Sequence, residues 1–311
     1  MSIVVTVPTD RLAQNLGELP DDVELHVWDL RTPPPATRLD IVVPPYMGTA
    51  RVLGALAGLD VGLVQGQSIG FEEIPAALPP GIPFANAASV HETSTAELAL
   101  ALMLAAQRQL PRFVRAQDRG EWDPVFAESL ADRRVLLIGF GGVGTAIARR
   151  LAPFEVEVTA VARTARTEVV DGLGAVAVHG MDELPALLPE AEIVVLSLPG
   201  GDGTRHLFGA DLMARMADGA LLVNVGRGSV VDTGALLPEL ESRRLRAALD
   251  VFEEEPVPAG HPLWSAPGLL IAPHVGGATT AMTPRIALLV RAQIDRMRAG
   301  EPPLNLVIPG R

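Results

Sequence analysis

The chain has 311 residues, enough for two domains with a sizeable core each, and its 48% hydrophobic and 20% charged content describes a globular protein rich in buried parallel sheet. Its formal charge of −12 argues against nonspecific binding to nucleic acid or to anionic membranes. Cysteine is absent, which rules out disulfides and thiolate chemistry and fits a reducing compartment. All 25 basic residues are arginine, which removes the Walker lysine, Schiff-base chemistry, pyridoxal phosphate attachment and any lysine base.

The chain opens on a strand, with no basic leader, so no signal peptide is read. The longest uncharged apolar stretch, Leu98–Ala106, is too short to span a bilayer, and a cytoplasmic location is expected. The first ninety or so residues alternate short strands (Ile3–Val7, Glu24–Val27, Ile41–Val43, Gly62–Gln65) with helices at Arg11–Leu16 and Thr49–Leu56. Arg31–Ala36 reads as an exposed loop. The break-rich Leu78–Pro83 leads to Phe84-Ala-Asn86, and a long apolar helix follows over Thr93–Gln109, with Leu110–Arg119 beside it. A second α/β series has strands Val135–Ile138, Glu157–Val161, Ile193–Leu198, Ala220–Asn224, Ala247–Asp250 and Leu269–Ala272. Near-continuous apolar strands between helices predict a parallel sheet covered on both faces. The last helix, Met282–Arg298, is expected to return to the N-terminal domain. There is no fixed-period repeat, no low-complexity segment and no metal-ligand set.

The strand Val135–Ile138 runs into Gly139-Phe-Gly141-Gly142-Val143-Gly144 and then into a stretch of helical habit, Thr145–Ala152. Strand, glycine turn and helix are the setting a dinucleotide fingerprint requires. The first glycine permits the tight turn, the second lets the backbone approach a pyrophosphate, and the third lets helix and strand pack closely. A nicotinamide site that takes NAD normally ends the second strand with an acid for the ribose hydroxyls. Here that strand runs from Val158 to Ala162, and Arg163, Thr164 and Arg166 follow it. A carboxylate would repel a 2′-phosphate, whereas guanidinium binds it with paired hydrogen bonds. NADP(H) is therefore the expected coenzyme, with NAD(H) possible. The plainer alternative makes both arginines ordinary solvated loop residues.

Three more segments stand at predicted strand ends: Asn224-Val225-Gly226-Arg227-Gly-Ser-Val-Val-Asp232, Leu249-Asp250-Val-Phe-Glu-Glu-Glu255-Pro256 and Ala272-Pro-His274-Val-Gly276-Gly277. Together with the glycine fingerprint, Ser197-Leu198-Pro199 with Thr204, and His261-Pro-Leu-Trp264, the set resembles the D-isomer-specific 2-hydroxyacid dehydrogenase family, and the likeness runs through nearly the whole chain. The resemblance implies an α/β protein of two doubly wound parallel-sheet domains. A Rossmann coenzyme domain (93–280) would be inserted into a flavodoxin-like substrate domain (1–92 and 281–311), with a cleft between them. It implies hydride transfer between the coenzyme and C2 of a 2-oxo or 2-hydroxy acid of the glyoxylate or hydroxypyruvate type, or a bulkier one.

Residue by residue, Arg227 would clamp the 2-oxo acid, Glu255 would be the acid partner and His274 the general acid/base. Coenzyme contacts are implied at Gly139, Gly141, Gly142, Val143, Gly144, Leu198, Pro199, Thr204, Val225, Gly226, Asp250, His274 and Gly276. The loop Gln67-Ser68-Ile69-Gly70 resembles the one whose amides hold the substrate carboxylate, although Glu72 replaces the family's frequent aspartate. Tyr46, the only tyrosine, and His91, in the loop after Asn86, are further substrate candidates beside Arg227 and His274. The helices Thr93–Gln109 and Leu110–Arg119 resemble the family's dimer-forming region, so a homodimer is expected.

The chemistry is also required by the reaction itself. Reducing a ketone develops negative charge on oxygen, so a proton donor and a cation must stand ready. Imidazolium suits the first task near neutral pH, and a neighbouring carboxylate favours its charged form. Taken alone, a histidine after proline is more often structural, an acidic run such as Glu253–Glu255 is usually a solvated face, and an arginine before glycine is often a turn residue. Their joint occurrence is what points to one site. His26, His179, His206 and His261 are read as structural or surface residues.

Two related activities fit less well. Formate dehydrogenases carry glutamine at the Glu255 place, and phosphite dehydrogenases carry a lysine in the loop that is Ser68-Ile69-Gly70 here. A different class, a coenzyme-sensing binding module on the same fold, could retain all three residues and is separated only by turnover.

Overall fold

A computed structural model describes residues 2–310. The chain divides into two units: one runs to His91 and resumes at Thr279, and the other is Glu92–Ala278.

The first unit is built on a six-stranded sheet in the order Leu306–Ile308, Phe84–Ala85, Asp60–Gln65, Arg38–Val42, Ile3–Val7, Val23–Val27. All neighbours are parallel except Leu306–Ile308, which runs antiparallel to Phe84–Ala85. The five parallel strands follow the flavodoxin-like winding order. Alternating side chains of these strands feed opposite faces. Val5, Val7, Ile41 and Val43 pack with Leu12, Leu16, Ile286 and Val290 of the helices Asp10–Leu16 and Met282–Ala299. Leu39, Val42 and Val64 pack instead with Leu53 and Leu56. The helix Asp10–Leu16 starts where the Thr9 hydroxyl accepts the Leu12 amide at 3.3 Å, an N-cap that satisfies one of the orphan donors.

The second unit carries eight strands in the order Leu269–Ile271, Arg246–Leu249, Leu221–Asn224, Ile193–Leu196, Arg134–Ile138, Glu157–Val161, Gly174–His179, Arg166–Val170. Only the last pair is antiparallel. Apart from the exposed Arg134 that begins one of them, the central strands are buried, and successive residues serve two cores. Val135, Leu137, Ile193, Val195, Leu221 and Val223 meet Ala99 and Met103 of the helix Glu92–Gln107 and Ile147 of the helix Gly142–Leu151. Leu136, Ile138, Val194, Leu196 and Leu222 meet Leu236 and Leu240 of the helix Thr233–Glu241. Each such fully buried aliphatic side chain contributes about 1.5–3 kcal/mol, which is why the sheet needs a helical layer on each face.

The central strand turns at Gly139, whose φ is +96°. A Cβ on Gly144 would lie 2.1 Å from the Gly139 carbonyl oxygen, so only glycine allows the helix to start so near the strand. The Ser197 hydroxyl also donates to that carbonyl at 2.8 Å, tying the neighbouring strand end to the turn.

Several details differ from the sequence reading. Both sheets are mixed, each with one antiparallel edge. Arg166, expected at the end of the second strand, is the first residue of a further edge strand that pairs with Gly174–His179. The strands Phe84–Ala85 and Leu306–Ile308 lie in stretches of two and three residues, below the length at which periodicity shows. The Thr49–Leu56 segment is one α turn followed by a 3₁₀ turn, and the long helix begins at Glu92 and ends at Gln107.

Candidate active site

The residues singled out in the second unit gather at the carboxyl ends of its parallel strands, where an open sheet binds ligands. Asn224 ends one strand, fully buried. Its Oδ1 accepts the Gly226 amide at 3.0 Å and its Nδ2 donates to the Arg227 carbonyl at 2.9 Å. The side chain thereby closes the loop that presents Arg227, which lays one guanidinium nitrogen on the Gly226 carbonyl oxygen at 2.8 Å. A Cβ on Gly228 would lie 1.8 Å from the Phe252 carbonyl oxygen. Glycine there lets two backbones touch, bringing the arginine loop against the segment that carries Glu255.

Glu255 spends its two oxygens on two donors. Oε1 accepts the Phe252 amide at 2.8 Å, and Oε2 lies 2.5 Å from His274 Nδ1. The carboxylate therefore fixes the ring's Nδ1 proton and leaves Nε2 for chemistry. His274 is raised above the ordinary imidazole value, first by the Glu255 hydrogen bond and then by the charges of Glu255 and Asp250, against burial and the Arg227 charge. For Glu255, burial pulls upward, but the His274 and Phe252 hydrogen bonds and the charges of His274 and Arg227 hold it below the usual carboxylate value. The pair therefore favours imidazolium beside carboxylate, with Arg227 near enough for its charge to bear on both.

His274 sits at φ +53°, a left-handed backbone that costs a non-glycine residue roughly 1 kcal/mol or more. Asp250 holds it there. The His274 amide donates to the Asp250 carbonyl at 2.8 Å, and the buried Asp250 carboxylate accepts the Val275 and Gly276 amides at 2.8 and 2.9 Å. Burial raises Asp250 despite those two amides. Asp250, read from sequence as a coenzyme-facing residue, therefore also fastens the histidine turn.

The fit to a dinucleotide rests on the glycine turn. Gly141 and Gly142 are exposed, the N-cap Gly141 has no side chain to cap the helix Gly142–Leu151, and a methyl placed on Gly141 would meet nothing within 4 Å, whereas one on Gly142 would lie 3.0 Å from Glu92 Oε1. A helix N-terminus with open space over Gly141 suits a pyrophosphate. Around that turn, Val143 is half-buried, Leu198 buried and Pro199 exposed, while the Thr204 hydroxyl donates to the Pro199 carbonyl at 2.8 Å and fixes the loop between them. Val225 and Gly226 are buried in the arginine loop. Arg163 and Thr164 are exposed, and Arg166 donates from Nη2 to the Phe140 carbonyl at 2.8 Å, so its guanidinium reaches the fingerprint itself.

In the first unit, a separate group forms around Gln67–Gly70. Asn86 donates to the Ile69 carbonyl at 2.8 Å, Gln67 donates to the Pro44 carbonyl at 2.8 Å, and His91 Nε2 lies 2.6 Å from the Gln67 carbonyl. A carbonyl can only accept, so His91 Nε2 is the donor in this contact. Tyr46 stacks on that ring with centroids 5.5 Å apart. Tyr46, Ser68, Ile69, Gly70 and His91 are thus drawn together within this unit.

Sequence reasoning passed over one cluster. His206, set aside as structural or surface, has Nε2 2.5 Å from Glu253 Oε1, while Glu253 Oε2 accepts the Thr233 amide at 2.9 Å. The Thr233 amide and the His206 hydrogen bond hold Glu253 low against burial, which raises it. Glu253 thereby pins the segment leading to Glu255 onto both the Thr204–Phe208 loop and the start of the helix Thr233–Glu241. The sequence offered no local signal for this pair, since 47 positions separate His206 from Glu253 and Glu253 lies in a bend.

Among the described residues no helix is long and apolar enough to cross a membrane, and no group of three metal-ligating side chains occurs. The model of the D-isomer specific 2-hydroxyacid dehydrogenase NAD binding domain matches residues 100–276. A glyoxylate reductase of Aeropyrum pernix is 32% identical over 310 residues, covering 91% of this chain and 89% of its own length. The fold is similar to a D-isomer specific 2-hydroxyacid dehydrogenase of Xanthobacter autotrophicus Py2 solved with NADPH and MES, at a TM-score of 0.79 and 31% identity over 99% of this chain and 98% of that one. It is also similar to an NADPH-dependent glyoxylate/hydroxypyruvate reductase of Sinorhizobium meliloti solved with NADP and sulfate, at a TM-score of 0.80 and 25% identity over 99% and 98% of the two chains.

Proposed function

This chain belongs to the D-isomer specific 2-hydroxyacid dehydrogenase family, and from that premise we propose that it reduces a small 2-oxo acid of the glyoxylate or hydroxypyruvate type with NADPH. The observation that carries the reading is the Glu255–His274 pair at 2.5 Å, with Arg227 beside it and the glycine turn in the same sheet. The helix start at Gly141–Val143 would hold the pyrophosphate, and Arg163, Thr164 and Arg166 the 2′-phosphate. When bound, the nicotinamide supplies the hydride. His274 gives the proton on Nε2 to the carbonyl oxygen, Glu255 steadies the imidazolium through Nδ1, and Arg227 offers its guanidinium to the substrate's carboxylate and carbonyl oxygens. Asn224 and Asp250 keep Arg227 and His274 in place. In the first unit, Ser68, Ile69 and Gly70, with Tyr46 and His91, are the proposed substrate contacts.

NADPH over NADH is supported by the arginines at the end of the second strand and by the NADPH and NADP bound in the two similar structures. A homodimer is proposed from the solvent-facing Trp122 and Phe126 beside the exposed Leu110 and Val114 of the helix Leu110–Asp118, apolar surface that a second copy would cover. A cysteine-free chain suits the cytoplasm as the place of action.

The test is turnover. Purified protein should oxidise NADPH with glyoxylate, hydroxypyruvate or a bulkier 2-oxo acid, more efficiently than NADH. Tight NADPH binding with no turnover of any acid would instead mark a coenzyme-sensing binding module.

A further inference from the structure

The edge strand Arg166–Val170 carries an acid beside the arginine that the coenzyme reading requires. Residues two apart on a strand share a face, so Arg166 and Glu168 stand side by side. Arg166 Nε and Nη2 both donate to Glu168 Oε2, at 3.0 and 2.7 Å. Nη2 also donates to the Phe140 carbonyl at 2.8 Å, and Nη1 to the Thr164 carbonyl at 3.3 Å. The guanidinium carbon lies 6.0 Å from the Phe140 ring centroid. The cation is therefore anchored on the nucleotide-binding turn. Its Nε/Nη2 edge, the side that grips an oxyanion as a fork, is already engaged by a carboxylate.

We infer that Glu168 is a specificity-determining residue for the coenzyme, an internal anion that competes with a 2′-phosphate for Arg166 and keeps NADH usable alongside NADPH. The inference rests on the reading of Arg163 and Arg166 as the 2′-phosphate site. A phosphate must displace Glu168 from the fork or share one guanidinium with it, and two anions on one cation repel each other. An unphosphorylated ribose meets no such conflict. Its hydroxyls are donors, and a carboxylate is the acceptor that NAD sites provide near this point. The second strand ends without that carboxylate, and the next strand in the chain supplies one. Arg163, exposed at the strand end, remains for the phosphate.

The experiment uses the coenzyme-free protein and two fragments that differ only in the 2′-phosphate: adenosine 2′,5′-bisphosphate and 5′-AMP. Calorimetric titration of wild type and Glu168→Gln is compared with that of Arg166→Ala and the Arg163→Ala/Arg166→Ala double variant. Glu168→Gln should bind the bisphosphate roughly 5–20-fold more tightly, as expected for freeing one charge-assisted fork, with 5′-AMP no tighter than before. The NADPH to NADH ratio of kcat/KM should rise by a similar factor. Unchanged or weaker bisphosphate binding in Glu168→Gln, with Arg166→Ala weakening it, overturns the role of Glu168 and leaves the phosphate assignment standing. If the double variant keeps the wild-type ratio of bisphosphate to 5′-AMP affinity, the phosphate assignment itself fails and the inference falls with it.

Discussion

Replacing Glu255 by glutamine tests how the carboxylate governs His274, and the outcome follows from counting lone pairs. Glu255 offers one oxygen to the Phe252 amide at 2.8 Å and the other to His274 Nδ1 at 2.5 Å. Glutamine has a single acceptor oxygen. The Phe252 amide can only donate, so it claims that oxygen and turns the NH₂ group towards Nδ1. An N–H facing Nδ1 demands a lone pair there, which holds the ring neutral and opposes the imidazolium that reduction consumes. A charge-assisted hydrogen bond is worth about 1.5–3 kcal/mol. With the two side chains 46% and 32% exposed, solvent screening favours the lower part of that range. A loss of about 1.5–2 kcal/mol in the transition state is roughly a 10–30-fold fall in kcat. Single-turnover loss of nicotinamide absorbance, with saturating NADPH and 2-oxo acid, reads that step directly, and NADPH affinity should stay within twofold of wild type. If Glu255→Gln kept full kcat across the pH range, the tautomer argument would be refuted.

His274→Ala should slow the chemical step by ~10²–10⁴-fold while coenzyme affinity measured by fluorescence titration is preserved. Because Glu255 raises His274 above the ordinary imidazole value of 6.5, kcat/KM for reduction should be level at lower pH and fall only past a point above 6.5, with oxidation showing the opposite trend. The same linkage governs stability. The share from His274 is complete below its unfolded value and is lost as pH rises through the folded one, while that from Glu255 is lost as pH falls through its lowered folded value, a pattern that melting curves across pH would show. Asp250→Asn leaves one of the Val275 and Gly276 amides without its acceptor, which should cost about 1–3 kcal/mol, with calorimetry registering a melting temperature several degrees lower. Glu253→Ala removes both the His206 and Thr233 bonds, and thermal denaturation should register a similar loss.

The central strands of the second unit were readable because Val135–Ile138 and Ile193–Leu196 are unbroken apolar runs, a pattern that burial on both faces imposes. The hairpin Arg166–His179 was not, because its edge strand buries only Val170, leaving Arg166, Thr167 and Val169 exposed and Glu168 half-buried. Residue order alone could name Glu255 and His274 but could not show which oxygen meets which nitrogen, since 19 positions separate them. The work of Asp250 was hidden for a different reason. Its partners are backbone amides, and amides leave no mark in a sequence. His206 and Glu253 stand 47 positions apart, and nothing local distinguishes either from a solvated side chain.

Arg166–Val170 has one further consequence, for anyone who would re-engineer the coenzyme preference. Among the described residues this strand closes its sheet with no neighbour on the outer side, and Val169 is 78% exposed there. Arg166 and Glu168 are the charges that discourage a foreign strand from zipping onto this margin. Exchanging both for alanine would leave Ala-Thr-Ala-Val-Val on an open border, a template for self-association, so a variant made to change redox partner would lose colloidal solubility as well.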